Sequence, residues 1–530
     1  MSQIYGTINA NNNGNIFIVN PAGVQIGNSA QINVGSLYVS NKTFSDDLLK
    51  SVNESTVLND FMKEGSTGDA ALMSLGNINA NKVTFEGNGR IVIDSERLKD
   101  VAGTEKLTAD KIFINTKDEN NLVIGYDGYD ENNGGSYNTA SSTIAIATVN
   151  SNGFAQNKGY MWVEDVNQLQ AIDTNLGGNY ALRNSIDGTQ ANNFTSIGND
   201  TTAFTGKFDG IDYNIFNLNI SGKDNVGLFG KTDGATISNV TLVGGSITGT
   251  GSNVGAIVGN ANNTTLTNVV NSAAVSGNSN VGGIVGSATN SAIKDAINTG
   301  TINGSGDNVG GLIGNLQNSK LDTTKEVEKG LIGNSYNLGD VSGKGHNVGG
   351  LVGSASNSTI GDGTNLVYNR MDVTGAYNVG GIVGNMVGST VQNAENSGTV
   401  LASGYTNGKY IFHTDNAAFD GNGDKLGEKD VYIANAGGIA GTSSDDSTIT
   451  DVLNTGNVSS SKQYGKAFYD AMRSGADVKT AMIPLGTFMD GFRAALEAGD
   501  DVLYVGMSGG ISGTNQSAML AVNELTEEFP

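Results

Sequence analysis

The string Asn-Val-Gly-Gly-(Ile/Leu)-Val-Gly and its near copies recur through the middle of this chain, and that recurrence constrains the fold more than any single residue. Copies begin at Asn225, Asn253, Asn280, Asn308, Asn347, Asn378 and Asn435, giving intervals of 28, 27, 28, 39, 31 and 57 residues. The short intervals define a unit, and the long ones carry insertions. A second register lies inside each unit. Asn271, Asn298, Asn337, Asn369, Asn396 and Asn454 each precede a β-branched residue by four places, at Val275, Ile302, Val341, Val373, Val400 and Val458.

One polar and one apolar column at fixed spacing are what stacked coils produce. In a parallel β-helix each coil lies about 4.8 Å above the last, so equivalent residues touch their own kind. Inward β-branched side chains form apolar stacks, and asparagines at turns bond the asparagines above and below. A disordered Gly-Asn-Ser linker would not hold an apolar residue in register over six units. Propeller blades run to roughly 40 or more residues, too long for this unit. The expected fold is mainly β, a right-handed parallel β-helix (a solenoid), with a small α/β segment at the C-terminus.

Composition narrows the function. Of 530 residues only 15% are charged, 77 are glycine and three are proline, which disfavours helix through most of the chain. A net charge of −23 argues against nucleic acid, because phosphate binding needs a basic stripe. With no cysteine, disulfides and thiolate metal sites are excluded together. No stretch approaches the roughly 18 consecutive apolar residues of a membrane-spanning helix. Met1 to Gly6 lacks the basic start and apolar run of a signal peptide, so for an exported protein the signal is expected upstream.

The opening carries a sharper pattern. Asn15 to Val19 is a β-rich run, Asn20-Pro21-Ala22-Gly23-Val24 follows, and then Ala30-Gln31-Ile32-Asn33-Val34-Gly35-Ser36-Leu37. Pro21 fixes φ and Gly23 permits a left-handed return, so the tetrapeptide is a turn with a mechanism. Over about forty residues this run resembles the secretion domain of the filamentous-haemagglutinin family, with Ala22, Val24 and Ser36 as departures from its Asn-Pro-Asn-Gly-Ile and Val-Gly-Gly-Leu patterns. The resemblance assigns Asn20, Pro21, Gly23, Asn33 and Gly35 to the secretion motif. It implies two-partner secretion, in which an outer-membrane barrel transporter passes the unfolded chain to the cell surface. The family's earlier strands and first Asn-Pro motif are missing, so the chain reads as truncated at its N-terminus. Ser45 to Glu64 reads as a short helix beside the coils, with Ser45 as N-cap.

Between 156 and 220, Tyr160-Met-Trp162-Val-Glu-Asp, Asn179-Tyr-Ala-Leu and Phe204-Thr-Gly-Lys-Phe208-Asp209-Gly210 are similar to the segment that precedes glycine-rich GLUG repeats in bacterial surface adhesins. Trp162, the sole tryptophan, reads as a packing residue where the coil changes shape rather than a ligand contact.

From Lys462 the composition shifts. Gly465 to Arg473 and Phe488 to Ala498 read as helices, and Val502 to Gly506 as a buried strand. The run Asp501-Val-Leu-Tyr-Val-Gly-Met-Ser508-Gly-Gly-Ile-Ser512-Gly513-Thr514 resembles the DegV family of fatty-acid-binding proteins over residues 463 to 530. That resemblance places the lipid carboxylate at Thr480 and Ser512, with Gly513 and Thr514 in the same loop. Ala481, Met482 and Gly509 depart from the family pattern, and its first strand and second domain are absent. The segment alone is therefore expected to carry no lipid, and fatty acid would be a partner only of a complete domain. The repeat at 448–458 is cut before its next Asn-Val-Gly-Gly strand, which reads as a fused or misassembled reading frame.

A β-helix enzyme acting on carbohydrate is the competing class. The two histidines, His346 and His413, read as solvated loop residues, and no Ser/His/Asp set emerges. The acidic pairs Asp127/Asp130 and Asp445/Asp446 read as solvated faces. Asp420-Gly-Asn422-Gly-Asp424 opens like a calcium loop, but Lys425 and Val431 occupy its sixth and twelfth places. No metal or cofactor is expected. The sequence thus divides into a secretion-type domain (1–115), a β-rich connection (116–220), glycine-rich repeats (221–461) and a partial DegV-like segment (462–530). The expected function is a non-enzymatic adhesin, secreted or on the bacterial cell surface. It would bind a host or bacterial surface receptor or glycan through an extended face and through the insertions at 319–333 and 405–432.

Overall fold

In a computed structural model the chain is a parallel β-helix. It describes residues 1–10, 14–50, 65–107, 111–116, 122–137, 143–148, 154–211, 213–323, 335–362, 365–403, 405–406, 409–410, 412–414, 417–419, 425–426 and 435–460, with separate helical positions between 489 and 525. Residues 1–405 with 433–460 form one compact unit, and 406–432 with 461–530 form the other.

The first coils have three walls. Val24–Ile26, Gln31–Asn33 and Ser36–Ser40 make one turn, and Leu72–Ser74, Asn77–Asn79 and Lys82–Glu86 make the next. Each strand pairs in parallel with its equivalent, Val24 with Leu72, Ile32 with Ile78 and Leu37 with Val83. The repeat region has four walls. Phe229–Asp233, Thr236–Val243, Ser246–Gly249 and Ser252–Gly255 complete a coil, and Val258–Asn262 begins the next above Phe229–Asp233. One wall, a 19-stranded sheet that contains Ser2–Ile4 and Thr448–Asn454, is common to both coil shapes.

Register follows the columns expected from sequence. Val275, Ile302, Val341, Val373, Val400 and Val458 are successive cross-strand partners. The matching asparagines form an amide ladder. Asn271 Nδ2 donates to Asn298 Oδ1 (2.9 Å), Asn298 to Asn337 (2.8 Å), Asn337 to Asn369 (2.9 Å), Asn369 to Asn396 (2.8 Å) and Asn396 to Asn454 (2.7 Å). Each amide also closes its own turn: Asn298 Nδ2 donates to the Gly300 carbonyl, and the Gly300 N–H donates back to Asn298 Oδ1. The repeat's paired glycines follow from this ladder. A Cβ on Gly311 would lie 2.0 Å from the Gly350 carbonyl oxygen and 2.5 Å from Asn337 Cγ, so a side chain there would collide with the ladder.

A second ladder runs through the first asparagine of each repeat, Asn225–Asn253–Asn280–Asn308–Asn347–Asn378–Asn435, with Nδ2 to Oδ1 distances of 2.8 to 3.0 Å. From Asn225 to Asn378 these residues have φ between 50° and 63°. Asparagine tolerates that left-handed conformation, and unlike glycine it brings an amide to stack.

The common wall bends within each strand. Asn239, Asn268, Asp295 and Asn393 have φ of 51° to 55° in the middle of otherwise extended runs. The inserted residues leave the stack at this bend. Strand Ala292–Asn298 pairs with Lys320–Asp322 through its first half and with Tyr336–Asn337 through its second. Strand Thr390–Asn396 likewise pairs with Thr359–Ile360 and then with Val367–Asn369. The 39- and 31-residue intervals are therefore ordinary coils opened at one point. The expected excursion after Ser40 also departs from the stack, through the antiparallel pair Lys42–Thr43 and Ser66–Thr67. Helix is described there over Asp46–Lys50, and residues 51–64 of the expected helix lie outside the described residues.

The change from three walls to four is held from outside the coil. Trp162 is 2% exposed and lies with Met73, Leu75, Val92, Val123, Ala181 and Ile211 in an apolar cluster separate from the interior ones. Its Nε1 donates to Asp94 Oδ1 (3.2 Å), and Arg183 clamps Asp94 Oδ2 through Nη2 (2.6 Å) and Nε (3.1 Å). Arg183 Nη1 also reaches Glu164 (2.7 Å) and Asp127 (3.1 Å), while Arg90 pairs with Asp209. Trp162 is thus a packing residue at the change of coil shape.

The second unit contains an antiparallel sheet of Phe412–Thr414, Ala417–Phe419 and Lys425–Leu426. Met489, Phe492, Arg493, Leu496 and Glu497 are helical, inside the helix expected over 488–498. Leu520, Ala521, Val522, Glu524 and Leu525 are also helical, and Ala521 and Leu525 are buried one turn apart. The helix expected over 465–473 and the strand over 502–506 lie outside the described residues.

Two outcomes test this fold. Asn298→Ala strips a buried amide of four bonds and is expected to cost roughly 3 kcal/mol, against under about 1 kcal/mol for Asn454→Ala at the exposed end of the ladder. Hydrogen exchange resolved by coil is the measurement, because a solenoid need not unfold as one unit. Burial holds the Asp94 carboxyl above its ordinary range, against the pull of Arg183 and Trp162. A raised folded pKa gives stability that is complete below the unfolded value and is lost as pH rises through the folded one. Asp94→Asn removes that titration, so tryptophan fluorescence in denaturant should show the variant gaining on the native protein as pH rises through the acid range. A pH-independent gap would show that Asp94 binds its proton equally well in the folded and unfolded chain, against the raised affinity that burial gives it.

Candidate functional site

The haemagglutinin-like motif builds one turn. The Gly23 N–H donates to the Asn20 carbonyl (2.8 Å) across Pro21 and Ala22, and the Ala22 N–H donates to Asn20 Oδ1 (2.9 Å). Gly23 has φ of +95°, and a Cβ there would lie 2.6 Å from the Ala71 carbonyl oxygen, so glycine is required twice over. Asn33 belongs to a third amide ladder. It donates to Asn9 Oδ1 and accepts from Asn79 Nδ2, both at 2.6 Å. The Gly35 N–H donates to the Gly14 carbonyl, and its own carbonyl accepts from Asn81. The five motif residues therefore fall on two separate corners of the coil, and each has a local structural job.

The wall of Phe229–Asp233, Val258–Asn262, Val285–Thr289, Ile313–Gln317, Val352–Ser356, Val383–Val387 and Ala440–Ser444 is a seven-stranded sheet with one strand from each coil. Its inward residues, from Phe229 through Val258 and Val285 to Val383, are buried. Outward, Asn260, Ser287, Asn315, Ser354, Asn385 and Thr442 are successive partners, and so are Asn262, Thr289, Gln317 and Ser356 two residues along. Strand geometry sets these groups about 4.8 Å apart between coils and about 7 Å apart along a strand. Neighbours bond along the column, with Thr442 Oγ1 donating to Asn385 Oδ1 at 2.7 Å and Asn262 Nδ2 to Asp233 at 3.0 Å. The result is a fixed grid of amides and hydroxyls with few charges.

An aromatic column stands on the common wall. Tyr336 and Tyr368 are register partners, with ring centroids 4.8 Å apart and planes 3° from parallel, and Arg370 lies over Tyr368 at 4.7 Å. Burial raises both phenols above their ordinary range, and Arg370 opposes the rise. Tyr336 stands just past the insertion expected at 319–333.

His346 corrects the sequence reading. It lies on strand His346–Gly349, half-buried, pairs with Tyr377 and stacks on its ring at 4.7 Å, so it is a column residue and not a solvated loop residue. His413 is also on a strand, Phe412–Thr414, where a loop was expected. The acidic pairs do local work. Asp127 binds Arg183, and Asp130 Oδ1 accepts from the Asn132 N–H and caps a short 3-10 turn. Asp445 and Asp446 are exposed with φ of 52° and 54°. Thr480, Ser512, Gly513 and Thr514, and the calcium-like run 420–424, lie outside the described residues. Among the described residues no helix is long and apolar enough to cross a membrane, and no group of three or more acidic or histidine side chains is placed to hold a metal ion.

Two features were missed in the sequence. Helix Val166–Ala171 is capped by Asp165 Oδ1, which accepts from the Asn167 and Gln168 N–H groups, and the Asp-x-x-Gln spacing was a visible signal for it. The Tyr336/Tyr368 stack had no signal until the insertion between coils was placed.

Comparison with known proteins divides the chain in the same region as the composition shift. Residues 457–529 match the family described as uncharacterised protein, DegV family. Two relatives are the DegV domain-containing protein YteA of Lactococcus lactis, 42% identical over 60 residues (11% of this chain and 21% of the relative), and the DegV domain-containing protein CPE0026 of Clostridium perfringens, 34% identical over 65 residues (12% and 22%). Halomucin of Haloquadratum walsbyi is 34% identical over 140 residues, which is 26% of this chain and 1% of halomucin. The chain therefore spans only a small part of each relative. A solved structure from Bacteroides ovatus, with a proposed immunoglobulin A1 protease assignment, aligns over 59% of this chain and 88% of that one, at 16% identity and a TM-score of 0.35. The chain is a parallel β-helix joined to a C-terminal segment that is similar to part of the DegV family.

Proposed function

We propose that the chain is an exported bacterial surface adhesin, a non-enzymatic β-helix delivered through an outer-membrane barrel transporter. The observation that carries this reading is the polar grid around Asn260, Asn315 and Asn385, where strand pairing fixes short amide and hydroxyl groups at one repeat. A pre-formed, evenly spaced surface meets a hydroxyl-rich polymer or a receptor without an ordering cost of its own. The turn at Asn20–Gly23 and the resemblance around it supply the export route. A net charge of −23 favours solubility outside the cell.

A second reading has its own support, because residues 457–529 match the DegV family. In it the C-terminal segment holds a fatty acid, with Thr480 and Ser512 at the carboxylate.

Glycan-array and cell-adherence assays on the whole chain separate the readings. The adhesin reading expects saturable binding that weakens at least tenfold when Asn260, Asn315 and Asn385 are all changed to Lys, with the β spectrum unchanged. Depolymerisation of any polysaccharide offered would replace it with an enzymatic role. The lipid reading expects fatty acid to co-purify with the protein and to be lost in Ser512→Ala.

A further inference from the structure

Where the three-walled coils send out their first excursion, a lysine, a glutamate and an asparagine meet. Lys42 begins the short antiparallel pair at the base of the excursion. Glu86 ends strand Lys82–Glu86, and Asn115 ends strand Ile112–Asn115 as the register partner of Glu86. One oxygen, Glu86 Oε1, takes both neighbours: Lys42 Nζ lies 3.0 Å from it, and Asn115 Nδ2 donates to it at 2.8 Å. The side chains of Lys42 and Glu86 are only 5% and 14% exposed. On the far side of Glu86, Ser40 is its register partner, and Ser40 Oγ donates to the Glu86 carbonyl (2.8 Å), which fixes the strand end.

A buried ion pair with an amide bonded to the same carboxylate oxygen is more than an ion pair needs. It is also the set required to join an amine to a carboxamide, with a nucleophilic nitrogen, an acyl carbon with a nitrogen leaving group, and one carboxylate touching both nitrogens. We propose that Lys42 and Asn115 become linked by an amide bond, formed by the folded chain itself with Glu86 as the proton carrier.

Glu86 takes a proton from the Lys42 ammonium. The freed Nζ lone pair attacks Asn115 Cγ, and the Nζ–Cγ bond forms. Glu86 passes its proton to Nδ2, the Cγ–Nδ2 bond breaks, and ammonia departs. The second proton lost by Nζ leaves with it as ammonium. No oxidant or co-reactant is consumed, and overall one ammonium group and one carboxamide become one secondary amide and one ammonium ion. Burial favours the neutral forms that the reaction uses, since it lowers the Lys42 pKa and raises that of Glu86, against the hydrogen bond from Asn115. The link would tie the base of the excursion covalently to the strand two coils further on, where residues 42 and 115 both reach Glu86. This inference is independent of the adhesin reading.

Intact-mass measurement and a tryptic map of the whole, folded chain decide it. The expected mass is lighter than the sequence by one ammonia, and the map should contain one branched peptide in which Lys42 is uncut and joined to Asn115. Full sequence mass in folded protein would overturn the proposal. So would ammonia loss without the branched peptide, because an asparagine closing to a succinimide loses the same mass. Glu86→Gln should restore the full mass with the β circular-dichroism spectrum retained, whereas a branched peptide in that variant would remove Glu86 from its role. Asn115→Asp keeps the acyl carbon, and its link would release water in place of ammonia. If Glu86→Gln fails to fold, the mass lost by this variant still tests the chemistry.

Discussion

Everything in the coil stack depends on equivalent residues lying over one another, and the amide ladders are the interaction that makes this position specific. Parallel backbone pairing alone allows a strand to slip by two residues without turning a side chain to the wrong face. A buried asparagine does not allow it. Asn298 must find Asn271 below, Asn337 above and the backbone of Gly300 in its own turn, and a slipped coil would leave all four bonds unmade in a dry interior. The apolar columns supply most of the burial, and the amides fix the register in which it occurs.

The ladders also account for the second glycine of the later repeats. At Gly283, Gly311, Gly350, Gly381 and Gly438 a Cβ would lie 2.4 to 2.6 Å from the Cγ of a ladder asparagine, whereas the first two copies carry Leu228 and Ala256 at that place. Asparagine takes over where the chain must turn left-handed and can also stack, from Asn225 to Asn378. Two residue types thus divide the corners, and the Asn-Val-Gly-Gly signature is the outcome of both demands in adjacent positions.

The fold was legible in the sequence to the degree that it is periodic. The intervals between Asn225 and Asn308, and the offset from Asn271 to Val275, required one column over another, and those columns are the ones that pair. What one sequence did not disclose is aperiodic. The tie of Asp94 to Trp162 and to Arg183 joins residues 68 and 89 positions apart, with no spacing rule between them. His346 read as a loop residue, yet it lies on a strand that is defined by pairing with the strand Tyr377 begins. The same limit hid Lys42, Glu86 and Asn115, which become neighbours only through the stacking of three strands. For the proposed binding surface, sequence offered an extended face and the insertions at 319–333 and 405–432, but not which wall supplies the face, because its outward residues are ordinary polar ones distinguished only by their alignment.

The bend at Asn239, Asn268, Asp295 and Asn393 has a further meaning. Both halves of the strand stay paired when the chain between them lengthens, as on either side of residues 323–335, so the stack counts coils and not residues. Foreign peptides spliced in at that bend would leave every column above and below where it was. A solenoid with such a joint can grow sideways while its number of coils is kept.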